Sequence, residues 1–384
     1  MRLAPWLLLA ALAAGPLPAA QAAEGDDAPP AGDAADPPAV VDFTGLGPAP
    51  LGNPRVLFEW GRKAREREGC PAAESAWLHV VDDFPDSEWA PPALYSVAVC
   101  LEGAQAWEEA LSRYEQLRER YPDDPMVKDA LFRSGLVLEE LGRYKEAKKI
   151  YQGMLRTLEL RLTPSDKVAV AVQRDIELIH LGRARKGVKR LLDHIEAYEA
   201  LDRESQDPLR FWIAKCHVEL GRVLSDHART VPAYLHGWGK VRAAMPWNDD
   251  AEILRGQLDA RARDLLAAQG RYQQAIELRQ PEWTLAAIYE MGRDHEDLYR
   301  AFVGAPVPAG LDAGEAEEYQ HQVMDRSYPI LVKAYRIYYY GDHLARTQRS
   351  DSKYAVLLAE RVHALDLEGI TVDDLDLAPD VLKR

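Results

Sequence analysis

Three consecutive stretches of this chain, beginning at Pro54, Pro91 and Lys128, superimpose in steps of 37 residues. A small residue stands at the eighth place of each (Gly61, Ala98, Gly135) and another at the twentieth (Ala73, Ala110, Ala147). An aromatic residue follows at the twenty-fourth (Trp77, Tyr114, Tyr151), and Phe84-Pro85 and Tyr121-Pro122 close the first two units. The apolar spacing between these marks is helical and nowhere a sustained strict alternation, so each unit reads as two antiparallel helices and no strands are expected. Small residues let the two helices approach, the aromatic fills the gap beside them, and proline ends the second helix by removing a donor and crowding the preceding turn. A tandem period of this length is the mark of stacked helical hairpins. Such an array escapes the size limit of a single core because each repeat packs only on its neighbours.

The spacing of these residues resembles the tetratricopeptide repeat (TPR) family. The resemblance implies an all-α fold, a TPR-type helical hairpin solenoid with right-handed superhelical winding and degenerate C-terminal repeats. Three clear repeats span 54–161. From 165 to 280 the pattern decays into degenerate hairpins, with Val168–Leu181 and Ala184–Ala200 split at Gly182, and Leu209–Leu220 paired with Val223–Leu235. Gln269-Gly270-Arg271-Tyr272 reads as a turn after a helix from Asp250 to Ala268. A C-terminal helical region, 281–365, carries a loop at 304–311 and a long helix bent at Pro329, and a tail of 366–384 follows.

At the other end, Arg2 precedes an apolar run from Leu3 to Ala14 and then the small-residue stretch Ala19-Ala20-Gln21-Ala22-Ala23. That is the pattern of a secretory signal peptide over 1–22, with cleavage expected after Ala22 and the mature protein delivered to the periplasm. The run is too short to span a bilayer stably, and no later segment is apolar for long enough, so no integral membrane segment is expected. Residues 23–53 are rich in Ala, Pro, Gly and Asp and read as a disordered acidic linker. The formal charge of −15 gains nothing from counterion release on nucleic acid, which excludes nucleic acid as the expected partner.

Catalytic motifs are missing. The chain carries no His-Glu-x-x-His, no Gly-x-Ser-x-Gly, no phosphate loop and no Cys-x-x-Cys. Cys216 and His217 are adjacent and point about 100° apart on a helix, so they do not chelate one metal alone. The run Asp294-His295-Glu296-Asp297 reads as a solvated helix face, Tyr338-Tyr339-Tyr340 as packing within the C-terminal region, and neither a metal nor a cofactor is expected. Of the three cysteines, Cys70 falls at the start of the second helix of repeat one and Cys100 near the end of the first helix of repeat two. TPR stacking places those two ends side by side, so the resemblance implies a Cys70–Cys100 disulfide, worth about 3–4 kcal/mol through loop closure. The alternative is three small buried apolar residues.

The TPR resemblance also implies a partner groove lined by first-helix positions, here Phe58, Arg62, Arg65, Tyr95, Ser96, Val99, Phe132, Arg133 and Leu136, whose aromatic and arginine character suits a peptide carrying acidic groups. Those positions also serve packing between repeats. The lysine and asparagine clamp by which chaperone-binding TPRs grip a terminal carboxylate is not present. A second feature is the basic run Arg183, Arg185, Lys186, Lys189 and Arg190, which reads as a solvated helix face or as a dock for an acidic partner or lipid surface.

An export signal, an acidic linker and longer-period TPRs, with Tyr121-Pro122-Asp123-Asp124 among their marks, resemble periplasmic envelope adaptors of the BamD and CpoB kind. The segment from Pro281-Glu282-Trp283 to Pro329 is similar to TPR proteins of myxobacterial gliding-motility complexes. These resemblances imply a non-catalytic scaffold for envelope proteins or peptides, in assembly or motility, of unspecified oligomeric state. The alternatives are a helical enzyme or a glycan-binding protein with its site in the C-terminal region.

Overall fold

The computed structural model describes residue 49 and residues 52–231, 247–307 and 311–367. The expected signal peptide, all but a few residues of the expected linker, and nearly all of the tail lie outside them. Among the described residues every regular element is helical, and the chain divides into two compact units that part between Gly187 and Val188.

The N-terminal unit is built of hairpins. The helices are α1 (Pro54–Glu68), α2 (Cys70–Asp83), α3 (Ala90–Gly103), α4 (Trp107–Arg120), α5 (Met126–Glu140), α6 (Tyr144–Met154) and α7 (Pro164–His180), and α8 (Ala184–Glu199) starts here and runs into the next unit. The side chain of Asn53 caps α1 by accepting from the amides of Arg55 and Val56, and Thr163 and Asp166 form a reciprocal capping box on α7. Each hairpin turns through a residue in the left-handed region. Gly69, Gly142 and Gly182 serve three of the turns, with φ of 88°, 69° and 74°, and Gln105 serves the α3–α4 turn with φ of 59°. Only glycine adopts that conformation without a steric cost from Cβ.

One continuous core runs through these hairpins, from Leu57 to Val170. Its largest fully buried side chains are Trp77, Tyr114 and Tyr151, one per repeat. A Cβ added at Gly61 would lie 2.6 Å from the Trp77 ring, and one added at Gly135 would overlap the Tyr151 ring. The hydroxyl buried with each tyrosine needs a partner. Tyr114 donates to Glu102 at 2.5 Å and Tyr151 to Glu139 at 2.6 Å, in each case the carboxylate four residues beyond the small residue.

The C-terminal unit contains α9 (Arg210–Thr230), α10 (Trp247–Glu277), α11 (Pro281–Val303), α12 (Ala313–Thr347) and α13 (Lys353–Leu367). Three differences from the sequence reading stand out here. The chain passes through Gly221 and through Gly270 without turning, two differences that leave α9 and α10 each one helix where a hairpin split was expected, while α12 is the long helix expected around Pro329. Gly221 is a packing residue, because a Cβ there would overlap the Tyr272 ring, whereas Gly270 is exposed with open space around it. An exposed helical glycine costs only about 1 kcal/mol, which the surrounding helix absorbs.

The third difference concerns the run Asp294-His295-Glu296-Asp297, expected on a solvated surface. Asp294 and Glu296 are buried. Arginines reach both: Arg229 donates to Asp294 at 3.0 Å and to Asp297 at 2.7 Å, and Arg300 and Arg361 both bond Glu296. One turn earlier, buried Glu290 accepts from Arg222 at 2.8 Å, and Arg222 also reaches Glu219 and the Tyr354 hydroxyl. Paired in this way, the carboxylates avoid the penalty of an isolated buried charge. Tyr338 is fully buried over Gly292 and donates to Glu296 at 3.1 Å.

Candidate interaction site

The first-helix positions singled out in the sequence are mostly committed to the array itself. Phe58, Tyr95 and Phe132 each pack against the second-helix aromatic of their own repeat, with ring centroids 6.3, 5.8 and 5.9 Å from Trp77, Tyr114 and Tyr151. Arg133 reaches back one repeat, donating to the Tyr95 hydroxyl at 2.9 Å and to Glu102 at 2.7 Å. Burial disfavours its charge, but Glu102 and Tyr95 outweigh that and raise its pKa further. Ser96 donates to the Pro92 carbonyl within its own helix, and Val99 and Leu136 are half-buried. Arg62 and Arg65 are the exposed pair, and the Arg62 guanidinium is held by Glu59 at 3.0 Å and Glu66 at 2.9 Å. This face therefore offers two arginines and the edges of an aromatic ladder.

A larger concavity lies elsewhere in the same unit. A groove of about 1160 Å³ opens between the second helices of repeats two and three, with α5 as its floor. Its apolar part comprises Leu111, Val127, Leu131, Leu138, Ile150 and Met154, and its rim carries both signs of charge, with Glu115, Arg118, Glu146 and Lys149 among them. The reason is a length difference. Helices α2 and α4 have 14 residues each and α6 has 11, so in place of a last α-helical turn α6 is followed by a connector with a short 3-10 helix, Leu158–Leu160, that lines one end of the groove. Beside it Leu158 is 88% exposed. At Gly153, on the α6 wall, an added Cβ would meet nothing within 4 Å. The periodic marks of the repeat do not register this groove, although the early end of the helical pattern before Pro164 was a visible signal.

The disulfide staples this unit. Cys70, the first residue of α2, and Cys100, in α3, are joined with Sγ–Sγ 2.03 Å and Cα–Cα 5.5 Å, the pair that repeat stacking implies, and Cys216 is buried outside any disulfide. Arg183, just before α8, and Arg185, Lys186 and Lys189 on it are exposed, Lys189 pairs with Asp193 one turn on at 3.1 Å, and Arg190 is half-buried. Among the described residues no cluster of three or more His, Cys, Asp or Glu side chains is placed to hold a metal ion, and no helix is long and apolar enough to cross a membrane.

Comparison with known families agrees with this geometry. A tetratricopeptide repeat family model matches residues 92–124 and 129–156, which cover most of α3 to α6 and most of the groove lining, so the N-terminal unit contains tetratricopeptide repeats. No curated protein matches the chain. Among solved structures it is similar to a tetratricopeptide repeat protein from Parabacteroides merdae ATCC 43184, at 14% identity and a TM-score of 0.36, over 72% of this chain and 98% of that one. It is also similar to human IFIT1, solved as a dimer with m7Gppp-AAAA, at 14% identity and a TM-score of 0.34. That match covers 82% of this chain and 59% of IFIT1. At these scores neither likeness carries an argument about partners.

Proposed function

We propose that this chain is an exported, non-catalytic TPR scaffold that joins protein components of a cell-envelope complex in the periplasm, in assembly or motility. The α4–α6 groove is its working surface. The single observation that carries the reading is that groove: an apolar floor with a rim of mixed charge, lined mostly by the repeats that the family model matches, suits the apolar face of a partner helix. Its volume exceeds the range of about 300–1000 Å³ usual for small-molecule clefts. Export is supported by the apolar run 3–14 with its Ala20-x-Ala22 site, and by a disulfide, which persists in oxidising compartments. The exposed pair Arg62 and Arg65 offers a second contact for an acidic segment.

The test is an affinity capture from native envelope with tagged wild type, Gly153→Trp, which fills the groove from a position with open space, and Arg62→Glu/Arg65→Glu. Circular dichroism checks that all three are folded. Envelope proteins retained by wild type and lost with Gly153→Trp support the groove. An identical set captured by wild type and both variants contradicts it.

A further inference from the structure

The second helices of the N-terminal unit open with different charges. Helix α4 carries two acids in its first turn, Glu108 and Glu109, and α6 carries Glu146, which holds Arg143 at 2.7 Å. At the matching places α8 has Arg185 and Lys186, with Arg183 just before them, and no acid. The His180 ring at the end of α7 stacks on Tyr144, the first residue of α6, at 4.6 Å, so Lys145 shares one edge of the unit with the start of α8. Lys145, Arg183, Arg185 and Lys186 are all exposed, and none of the four makes an ion pair with a described residue. Carboxylates near them are already taken, Glu146 by Arg143 and, further along α8, Asp193 by Lys189 at 3.1 Å. We propose that the acidic segment 24–42 of this same chain docks on that edge.

Charge complementarity selects the occupant. Residues 24–42 lie outside the described residues, and their sequence carries Glu24, Asp26, Asp27, Asp33, Asp36 and Asp42 with no lysine or arginine among them. An acidic partner or an anionic membrane would meet the same four cations, but either must approach a chain whose formal charge is −15. A segment tethered to the unit at Pro54 reaches them at an effective concentration on the order of millimolar. Each exposed pair is weak on its own, so the contact needs several acting together and yields to salt.

The tether is long enough. At roughly 3.3–3.6 Å per residue, Asp36 and Glu24 extend up to about 60 and 100 Å from Pro54. Seven helix-to-helix steps of about 8–10 Å, the most that the row from α1 to α8 allows, come to about 55–70 Å. The acids nearest the N-terminus of the segment therefore reach the edge even in the least favourable arrangement. Docked there, the segment would screen the cations of α6 and α8 from other acidic macromolecules.

The test is zero-length carbodiimide coupling of carboxylates to lysine amines in the full chain at low ionic strength, with the products mapped by mass spectrometry. Lys145 and Lys186 should join carboxylates of 24–42 at least about tenfold more often than Lys167, an exposed lysine at the start of α7, and the excess should vanish in roughly 1 M NaCl, where the screening length is about 3 Å. Arg183→Glu/Arg185→Glu keeps both lysines and should abolish the excess in a chain whose circular dichroism is unchanged. In an equal mixture of nitrogen-15-labelled and unlabelled chains the products should stay within one chain, and wild type should not sediment with phosphatidylglycerol vesicles. Gly153→Trp should leave the coupling as it is, so this contact and the groove fail separately. Coupling no greater than at Lys167, or an excess that survives Arg183→Glu/Arg185→Glu, overturns the proposal. So do products that join labelled to unlabelled chains, which assign the edge to a second copy, and sedimentation with the vesicles that Arg183→Glu/Arg185→Glu loses, which assigns it to a membrane.

Discussion

The two units solve one packing problem at two different sequence distances. In the N-terminal unit a small residue on the first helix lets an aromatic ring of the second lie across it, and a carboxylate four residues on accepts the tyrosine hydroxyl. Gly135, Tyr151 and Glu139 make one such set, and Ala98, Tyr114 and Glu102 occupy the same places. The C-terminal unit repeats the arrangement with Gly292, Tyr338 and Glu296, and with Gly221, Tyr272 and Ser225, where the serine stands in for the acid. The hydroxyl and its partner are 12 residues apart in the first unit and 42 or 47 in the second. The lock belongs to the contact between two helices, not to the length of chain that joins them. What differs is the support around it: the first unit adds a disulfide, and the second adds arginines of α9 and α13 that pair with buried carboxylates of α11.

That difference can be tested by removing each support. Arg222→Met leaves Glu290 and Glu219 without their main cation, so the C-terminal unit should lose about 3–5 kcal/mol, the cost of a broken buried pair. Hydrogen exchange followed peptide by peptide should show the loss in α9, α11 and α13. Equal protection in wild type and variant would mean that Arg293, which also reaches Glu290 at 2.6 Å, suffices.

Reduction, or Cys70→Ser/Cys100→Ser, should cost the N-terminal unit about 3–4 kcal/mol. Its exchange should accelerate in α1 to α4 and not in α10 to α13. The shared lock predicts that Gly135→Ala and Gly292→Ala behave alike, each losing about 1–3 kcal/mol as Cβ meets a buried tyrosine ring. Urea unfolding of the two variants checks this, and a neutral result at Gly292 alone would break the analogy. The smallest effect is a gain. Gln105 holds the left-handed turn position that Gly142 fills one repeat later, so Gln105→Gly should stabilise by up to about 1 kcal/mol, read as a rise in Tm.

The same distances explain what the sequence disclosed. Gly61 and Trp77, or Gly135 and Tyr151, fall within one 37-residue window that recurs in step, so the all-α hairpin architecture was legible from spacing. Gly221 has its partner, Tyr272, on a helix that the period does not connect, and a glycine with no visible partner reads as a turn. Asp294 and Glu296 read as solvent-facing because the arginines that bury them come from α9 and α13, far along the chain. The site was less legible than the fold. First-helix periodicity pointed to Phe58, Tyr95, Phe132 and Arg133, which the structure spends largely on contacts between and within repeats. The groove follows from a helix three residues shorter than its counterparts, a defect in the period that a search for the period passes over.

The most direct test of the scaffold reading is site-specific photo-crosslinking in the native cell. A benzophenone side chain would replace Arg118 or Lys149 on the groove rim, or Arg62 or Arg65 on the first-helix face. Protein adducts at Arg118 and Lys149 that disappear when Gly153→Trp is added are the predicted result. Adducts that form only at Arg62 and Arg65, or that survive Gly153→Trp unchanged, would contradict the groove as the working surface.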